Sequence, residues 1–297
     1  MLYTNPPLDT HTLVSHLIDD GLLVNDVAFA EDFLENVSYF RFNAYLRPFE
    51  EANGANRFKP NASFDKAISL YRFDAELRNL LFSAIQLIEI SLRAKIINRF
   101  SLAHGAFWFI DPIMAIDQHK YSENLNTLER ELARSKDDFI QEHFVKYGHD
   151  KFPPTWKLLD LTSFGTLTKL YFNFADRRVK KQIARSYGVP QHEILESWMK
   201  AVNTLRNACA HHNRIWNRIM PVMPQIPTTL GNPWISQRPT TSNRLYAVFC
   251  CLVYWLNSFR PNNTLVNDFK NLLIKYPNVD IAAMGFPHNW QDEPLWR

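Results

Sequence analysis

From Phe64 to Leu102 the chain carries neither proline nor glycine, and Leu77, Leu81, Ile85, Ile88, Leu92 and Ile96 recur at steps of three and four. That spacing keeps one face apolar through successive turns, so it predicts a single long helix that stops at Gly105. The same reading places helices from Asp9 or Thr10 to Asp20, from about Asn25 to Asn36, and, highly charged, from about Asp117 to Tyr147. Further helices are expected over Trp156 to Asp160, Thr166 to Phe174, Asp176 to Tyr187, Gln191 to Asn213, Asn243 to Phe259 and Thr264 to Tyr276. Pro221, Pro224, Pro227, Pro233 and Pro239 interrupt the chain between Arg218 and Thr241, which predicts an irregular excursion over the surface. Apolar stretches without period-two alternation, and only 8 glycines in the chain, exclude a glycine-rich sandwich or a dinucleotide-binding sheet and point to an all-α fold. Two parts are expected: an N-terminal helical extension over residues 1–62, closed by a linker rich in Asn and Gly (Ala52 to Ala62), and a helical domain over residues 63–297.

Composition changes this picture little. A hydrophobic content of 46% over 297 residues supports a substantial core, and a net charge of +3 permits an anionic partner without requiring one. Cys209, Cys250 and Cys251 give no disulfide framework, and the start of the chain lacks the basic and apolar run of a signal peptide, so a reducing cytoplasm is expected. The most apolar window, Leu245 to Leu256, is about a dozen residues, short of the roughly 20 that cross a bilayer, and reads as a core helix. The first two helices, around Gly21, resemble a helix-turn-helix in outline, but Glu31, Asp32 and Glu35 would set the wrong sign against DNA phosphates.

The chemistry concentrates between Asn203 and Arg218. If the helix runs on, Asn203, Asn207, His211, Arg214 and Arg218 share one stripe, opposite an apolar stripe of Val202, Leu205, Cys209, His212 and Trp216. RNA can be cut without metal when a base takes the proton of a 2′-hydroxyl and a cation stabilises the attacked phosphate. His211 suits the first role and Arg206 the second, although five residues set them about 140° apart around a helix. Asn207, one turn before His211, can orient the imidazole or touch the phosphate. His212, on the apolar stripe, reads as a core or supporting histidine ahead of a catalytic one, and remains a candidate RNA contact. Arg214 and Arg218 read equally as phosphate contacts or as solvated or salt-bridged side chains. Arg177, Lys181 and Arg185 fall on one helical edge that can guide an RNA backbone or simply face solvent. Glu89 has two readings, a structural pair with Arg93 one turn on or a carboxylate that positions Arg206. Cys209 and His212 alone do not make a metal site, so neither metal nor cofactor is expected.

Arg206-Asn207, three residues and then His211 resembles the R-x4-6-H motif of the HEPN superfamily of ribonucleases. The longer run from Leu205 to Arg218 is similar to the signature of Abi-like phage abortive-infection proteins of the AbiD and AbiF type. Tyr39 to Leu46, Leu70 to Arg78, Ile88 to Arg93, Phe164 to Leu167 and Met284 to Trp290 resemble that family in the same order, so the likeness spans nearly the whole chain. The resemblance implies a HEPN-like helical bundle and a metal-independent endoribonuclease. It further implies a homodimer, because such enzymes bring two motifs together and this chain holds one, and some restraint: a protein antitoxin, a small-RNA antitoxin, or a phage-triggered change of state. Alternatives are an RNA-binding module that does not cut, and a partner of a nucleotidyltransferase. The second type carries Tyr two residues after the motif histidine, where this chain has Asn213.

Overall fold

The computed structural model describes residues 2, 6–52, 57–148, 150–239, 241 and 243–297. Among them are twelve α-helices and no strand beyond isolated bridges, so the fold is all-α. Part of the Ala52 to Ala62 linker lies outside the described residues.

The residues divide into two compact units, one comprising the chain up to Arg78 with Phe269–Val279, the other comprising Asn79–Asp268 with Asp280–Arg297. The first unit begins with α1 (Thr10–Asp19) and α2 (Val27–Val37). Each is started by an aspartate that accepts a backbone N–H of the first turn, Asp9 from Thr12 at 2.7 Å and Asp26 from Phe29 at 2.9 Å. A further helix, α3 (Tyr39–Leu46), follows directly because Ser38 turns the chain at a φ of 64°. No proline or glycine marks that turn, so the sequence pattern did not separate α3 from its surroundings. Phe33, Phe42, Phe64 and Tyr71 pack edge-on and tilted in this unit's core, with ring centroids 4.9 to 6.3 Å apart. Beside them Asp74, fully buried, accepts the Tyr45 hydroxyl at 2.6 Å and pairs with Arg78 one turn on.

The long helix α4 (Phe64–His104) is continuous from the first unit into the second, and Leu77, Leu81, Ile85, Ile88, Leu92 and Ile96 are all buried as their spacing predicts. The charged helix expected over Asp117 to Tyr147 is in fact two, α5 (Gln118–Arg134) and α6 (Asp138–Lys146). Ser135 leaves helical geometry there, and its hydroxyl and Asp137 bond each other locally, the Ser135 hydroxyl to the Asp137 carboxylate at 2.6 Å and the Asp137 N–H to Ser135 Oγ at 3.2 Å. Such short-range bonds compete with the helix ladder. Then come α7 (Thr155–Leu158), α8 (Phe164–Asn173), α9 (Arg177–Arg185), α10 (His192–Ala210), α11 (Leu245–Asn257) and α12 (Leu265–Lys275). α11 is buried from Leu245 to Leu256 and forms the centre of the second unit. No helix among the described residues is long and apolar enough to cross a membrane.

Between α10 and α11 the proline-containing segment is irregular, as expected, and is tied down by side chains. Trp198 donates its indole N–H to Gln225 at 2.8 Å, Trp234 donates to Pro227 at 2.9 Å, and the buried carboxylate of Glu293 accepts from Ser236 and Gln237. On α9, Lys180 turns inward, 2% exposed, and reaches Glu196 of α10 at 3.0 Å and the Phe172 carbonyl at 3.1 Å. Burial pushes the Lys180 ammonium below its ordinary value, and the Glu196 carboxylate opposes that shift. Glu196→Gln keeps a hydrogen bond but leaves this ammonium without its counter-charge, and is expected to cost about 1–3 kcal/mol, read as a lowered urea midpoint at unchanged slope.

Candidate functional site

The helix carrying Arg206 ends three residues earlier than its sequence suggests. Ala210 is its last residue, His211 is the C-cap, and His212 turns into the left-handed region at a φ of 55°. The His212 N–H then reaches the Cys209 carbonyl at 3.0 Å and the Asn213 N–H reaches Ala208 at 2.8 Å. This is a Schellman closure, built here on histidine rather than glycine. Histidine, like Asn and Asp, enters that region more readily than branched residues.

The early stop corrects the two expected stripes. Asn203 and Asn207 remain on the helix, but His211 caps it, and Arg214 and Arg218 lie beyond it, half-buried, with Arg218 weakly donating to the Arg214 carbonyl at 3.5 Å. His212 is exposed rather than part of a buried stripe. Val202, Leu205, Cys209 and Trp216 are buried as expected, the last donating its indole N–H to Asp280 at 2.9 Å.

Arg206 is gathered against α4. Its guanidinium carbon lies 5.8 Å from the Phe82 ring centroid, and its Nε is 3.9 Å from Glu89 Oε2. Both sequence readings of Glu89 are geometrically present, since its other oxygen accepts from Arg93 at 2.9 Å. Arg93 also donates to the carbonyls of Leu159 and Asp160, at 2.5 and 2.9 Å, which ties the pair to the start of the loop before α8. Arg206 Nη1 approaches Asn207 Oδ1 at 3.4 Å. The motif arginine thus sits beside a carboxylate, with which its buried Nε makes no hydrogen bond, and against an aromatic face and its neighbouring amide, with a partly exposed guanidinium. Asn207 and His211 are exposed.

Arg206 also borders a cavity of about 400 Å³ together with Glu89, Glu131, Arg134, Asp137 and Ser163. Sequence reasoning did not single out Glu131 or Phe82. Glu131 accepts the Thr166 hydroxyl at 2.7 Å, while its second oxygen is buried without a hydrogen bond. Thr166 belongs to the run Phe164 to Leu167 noted for its resemblance, and that run is the signal that could have drawn attention to the wall opposite Arg206. His211 and Asn207 do not line this cavity.

Arg177, Lys181 and Arg185 are all exposed on one edge of α9, and none forms an ion pair among the described residues. Among the described residues no three His, Cys, Asp or Glu side chains are grouped so as to hold a metal ion. All three cysteines are buried, and burial pushes the Cys250 and Cys251 thiols far up, so neither supplies a nucleophile.

No curated protein and no solved structure matches the chain. The sequence model of the family described as Abi-like protein matches residues 32–217, which takes in all of α3 to α10 and the whole motif through His211. That match covers more than half of the chain and includes Glu89, Arg93, Glu131, Arg206, Asn207 and His211, and the chain therefore belongs to the Abi-like protein family.

Proposed function

We propose that this protein is a metal-independent endoribonuclease of the HEPN type that acts in phage defence by abortive infection or as the toxin of a toxin-antitoxin pair. Membership of the Abi-like family suggests abortive infection. The observation that carries the ribonuclease reading is the division of labour at the end of α10. Arg206 lies beside Glu89 and over Phe82, while the next residue Asn207 and, one turn beyond it, His211 stand exposed.

In this reading His211 takes the 2′-hydroxyl proton and the freed oxygen attacks the adjacent phosphorus. The 5′-oxygen leaves with a proton from a second imidazole, and the products are a 2′,3′-cyclic phosphate and a 5′-hydroxyl. Arg206 faces the non-bridging oxygens, where its planar fork offsets the growing charge. Asn207 orients the imidazole or the phosphate. The cavity behind Arg206 holds three carboxylates against two guanidiniums, so the phosphate is met at the open side of Arg206 rather than inside it. The exposed edge of Arg177, Lys181 and Arg185 supplies steering charge, and Arg214, Arg218 and His212 beyond the helix end are further contact candidates.

A single chain holds one copy of the motif, with His211 as its histidine, and the reaction uses a base and an acid. Two copies related by a two-fold axis would supply both. The apolar side chains of Ile219 and Met223, 62% and 53% exposed just past the motif, suit such an interface. Subunit mixing tests the composite site. Because the composite site uses His211 of both copies, mixing wild type with an excess of His211→Ala is expected to suppress cleavage in the mixed dimers. Undiminished cleavage in a sample shown to contain mixed dimers, or full cleavage by a strict monomer, would refute it. Cleavage would be restrained in the cell by a protein or small-RNA antitoxin. A non-cleaving RNA-binding module is the rival reading, which retention of RNA without new ends would favour.

A further inference from the structure

A second cavity, of about 440 Å³, lies between α5, α8 and the middle of α10 and shares no lining residue with the cavity at Arg206. Its volume falls in the range of small-ligand sites. Asn124 lines it from α5, is 8% exposed, and makes no side-chain hydrogen bond among the described residues. Its amide stays accessible from the cavity and offers a paired donor and acceptor to whatever enters. Around it the apolar surface is Ile116, 65% exposed, and the half-buried ring of Phe172.

The rim is cationic. Lys200, from α10, is placed over the Phe172 ring at 5.0 Å, and Lys169 stands on α8. Both are exposed and neither meets a carboxylate among the described residues. Of the carboxylates of the lining, Asp117 is engaged by the N–H groups that start α5 and by Lys120 at 3.2 Å, and the exposed Glu123 lies 3.5 Å from His119, so three ammonium groups face two carboxylates. A cleft lined mostly by polar residues, with two apolar side chains and, among the described residues, an amide that makes no hydrogen bond and two ammonium groups that meet no carboxylate, has the complementarity of a nucleotide.

We propose that this cavity binds an adenine nucleotide, the base between Ile116 and Phe172 with its amino donor and ring-nitrogen acceptor on Asn124, and the phosphates on Lys169 and Lys200. An asparagine amide matches that pair of adenine edges, whereas guanine presents two acceptors on its corresponding edge. The nucleotide can be free or part of an RNA strand, and the two sources differ in what the protein binds.

The test is calorimetric titration of the full chain with ADP, GDP, inorganic phosphate and a short oligoadenylate. ADP is expected to bind saturably, with GDP about tenfold weaker and phosphate weaker still. Asn124→Leu should remove the preference for ADP, and Lys169→Glu, at an exposed position that does not endanger folding, should weaken ADP about tenfold. His211→Ala should leave ADP binding unchanged, so failure of the ribonuclease reading does not touch this one. Binding of oligoadenylate but not ADP, lost in Lys169→Glu, assigns the site to a nucleotide within RNA. No saturable binding of either ligand, equal binding of ADP and GDP, or binding indifferent to both variants overturns the proposal.

Discussion

His211→Ala is expected to lower RNA cleavage about 10²- to 10⁴-fold, the span that a positioned acid or base contributes, while leaving the fold intact. His211 is exposed at the C-cap of α10, and what closes the helix there is backbone bonding by residues 211 to 213 together with the left-handed His212. Alanine keeps those backbone groups, so the thermal midpoint should barely move. A fall in cleavage with unchanged melting therefore reports chemistry, not unfolding. Cleavage within a factor of two of wild type would remove His211 from the reaction and leave the motif a structural element. Arg206→Ala is a less clean comparison, because it also strips Glu89 of a neighbour and uncovers Phe82.

The largest loss of stability is expected at Asp74. This carboxylate is fully buried, bonds the Tyr45 hydroxyl, and is the partner of Arg78, itself only 6% exposed. Asp74→Ala leaves a buried guanidinium and a buried hydroxyl short of an acceptor, which costs about 3–5 kcal/mol. The helix propensity of alanine returns well under 1 kcal/mol, so packing and charge decide the sign. Chemical denaturation gives the number directly, and a change under about 1 kcal/mol would show that water or a rearranged Arg78 makes good the loss. Burial, with the Asp74 carboxylate next in importance, also raises the Tyr45 hydroxyl well above its ordinary pKa, so this phenol stays a donor throughout the range in which the protein is handled.

What the sequence reveals, and what it hides, follows from the range of the forces involved. α4 was legible over 41 residues because Leu77, Leu81, Ile85, Ile88, Leu92 and Ile96 repeat the same local rule. The start of α1 was legible where Asp9 stands ready to cap, while the caps at Asp26 and Ser163 were not singled out, and α8 begins at Phe164 rather than Thr166. Some stops were hidden too. The end of α10 is set by His212 in a conformation usually signalled by glycine, and the break between α5 and α6 by a local bond between Ser135 and Asp137. At the candidate site, Arg206, Asn207 and His211 were visible through spacing and resemblance, and Glu89 with Arg93 through a charged pair one turn apart on an apolar helix. Glu131, Phe82 and the cavity beside Arg206 come from other helices, and only the packing of the bundle brings them near.

The most direct measurement is the chemistry of the RNA ends left by the wild-type protein in excess EDTA, on an end-labelled pool. The proposed reaction uses a neighbouring 2′-hydroxyl with an imidazole and a guanidinium, so cleavage should persist in EDTA and leave 2′,3′-cyclic phosphate and 5′-hydroxyl ends. Cleavage that vanishes in EDTA, returns with added magnesium and leaves 3′-hydroxyl ends would contradict the account, because that pattern needs metal-activated water rather than His211 and Arg206.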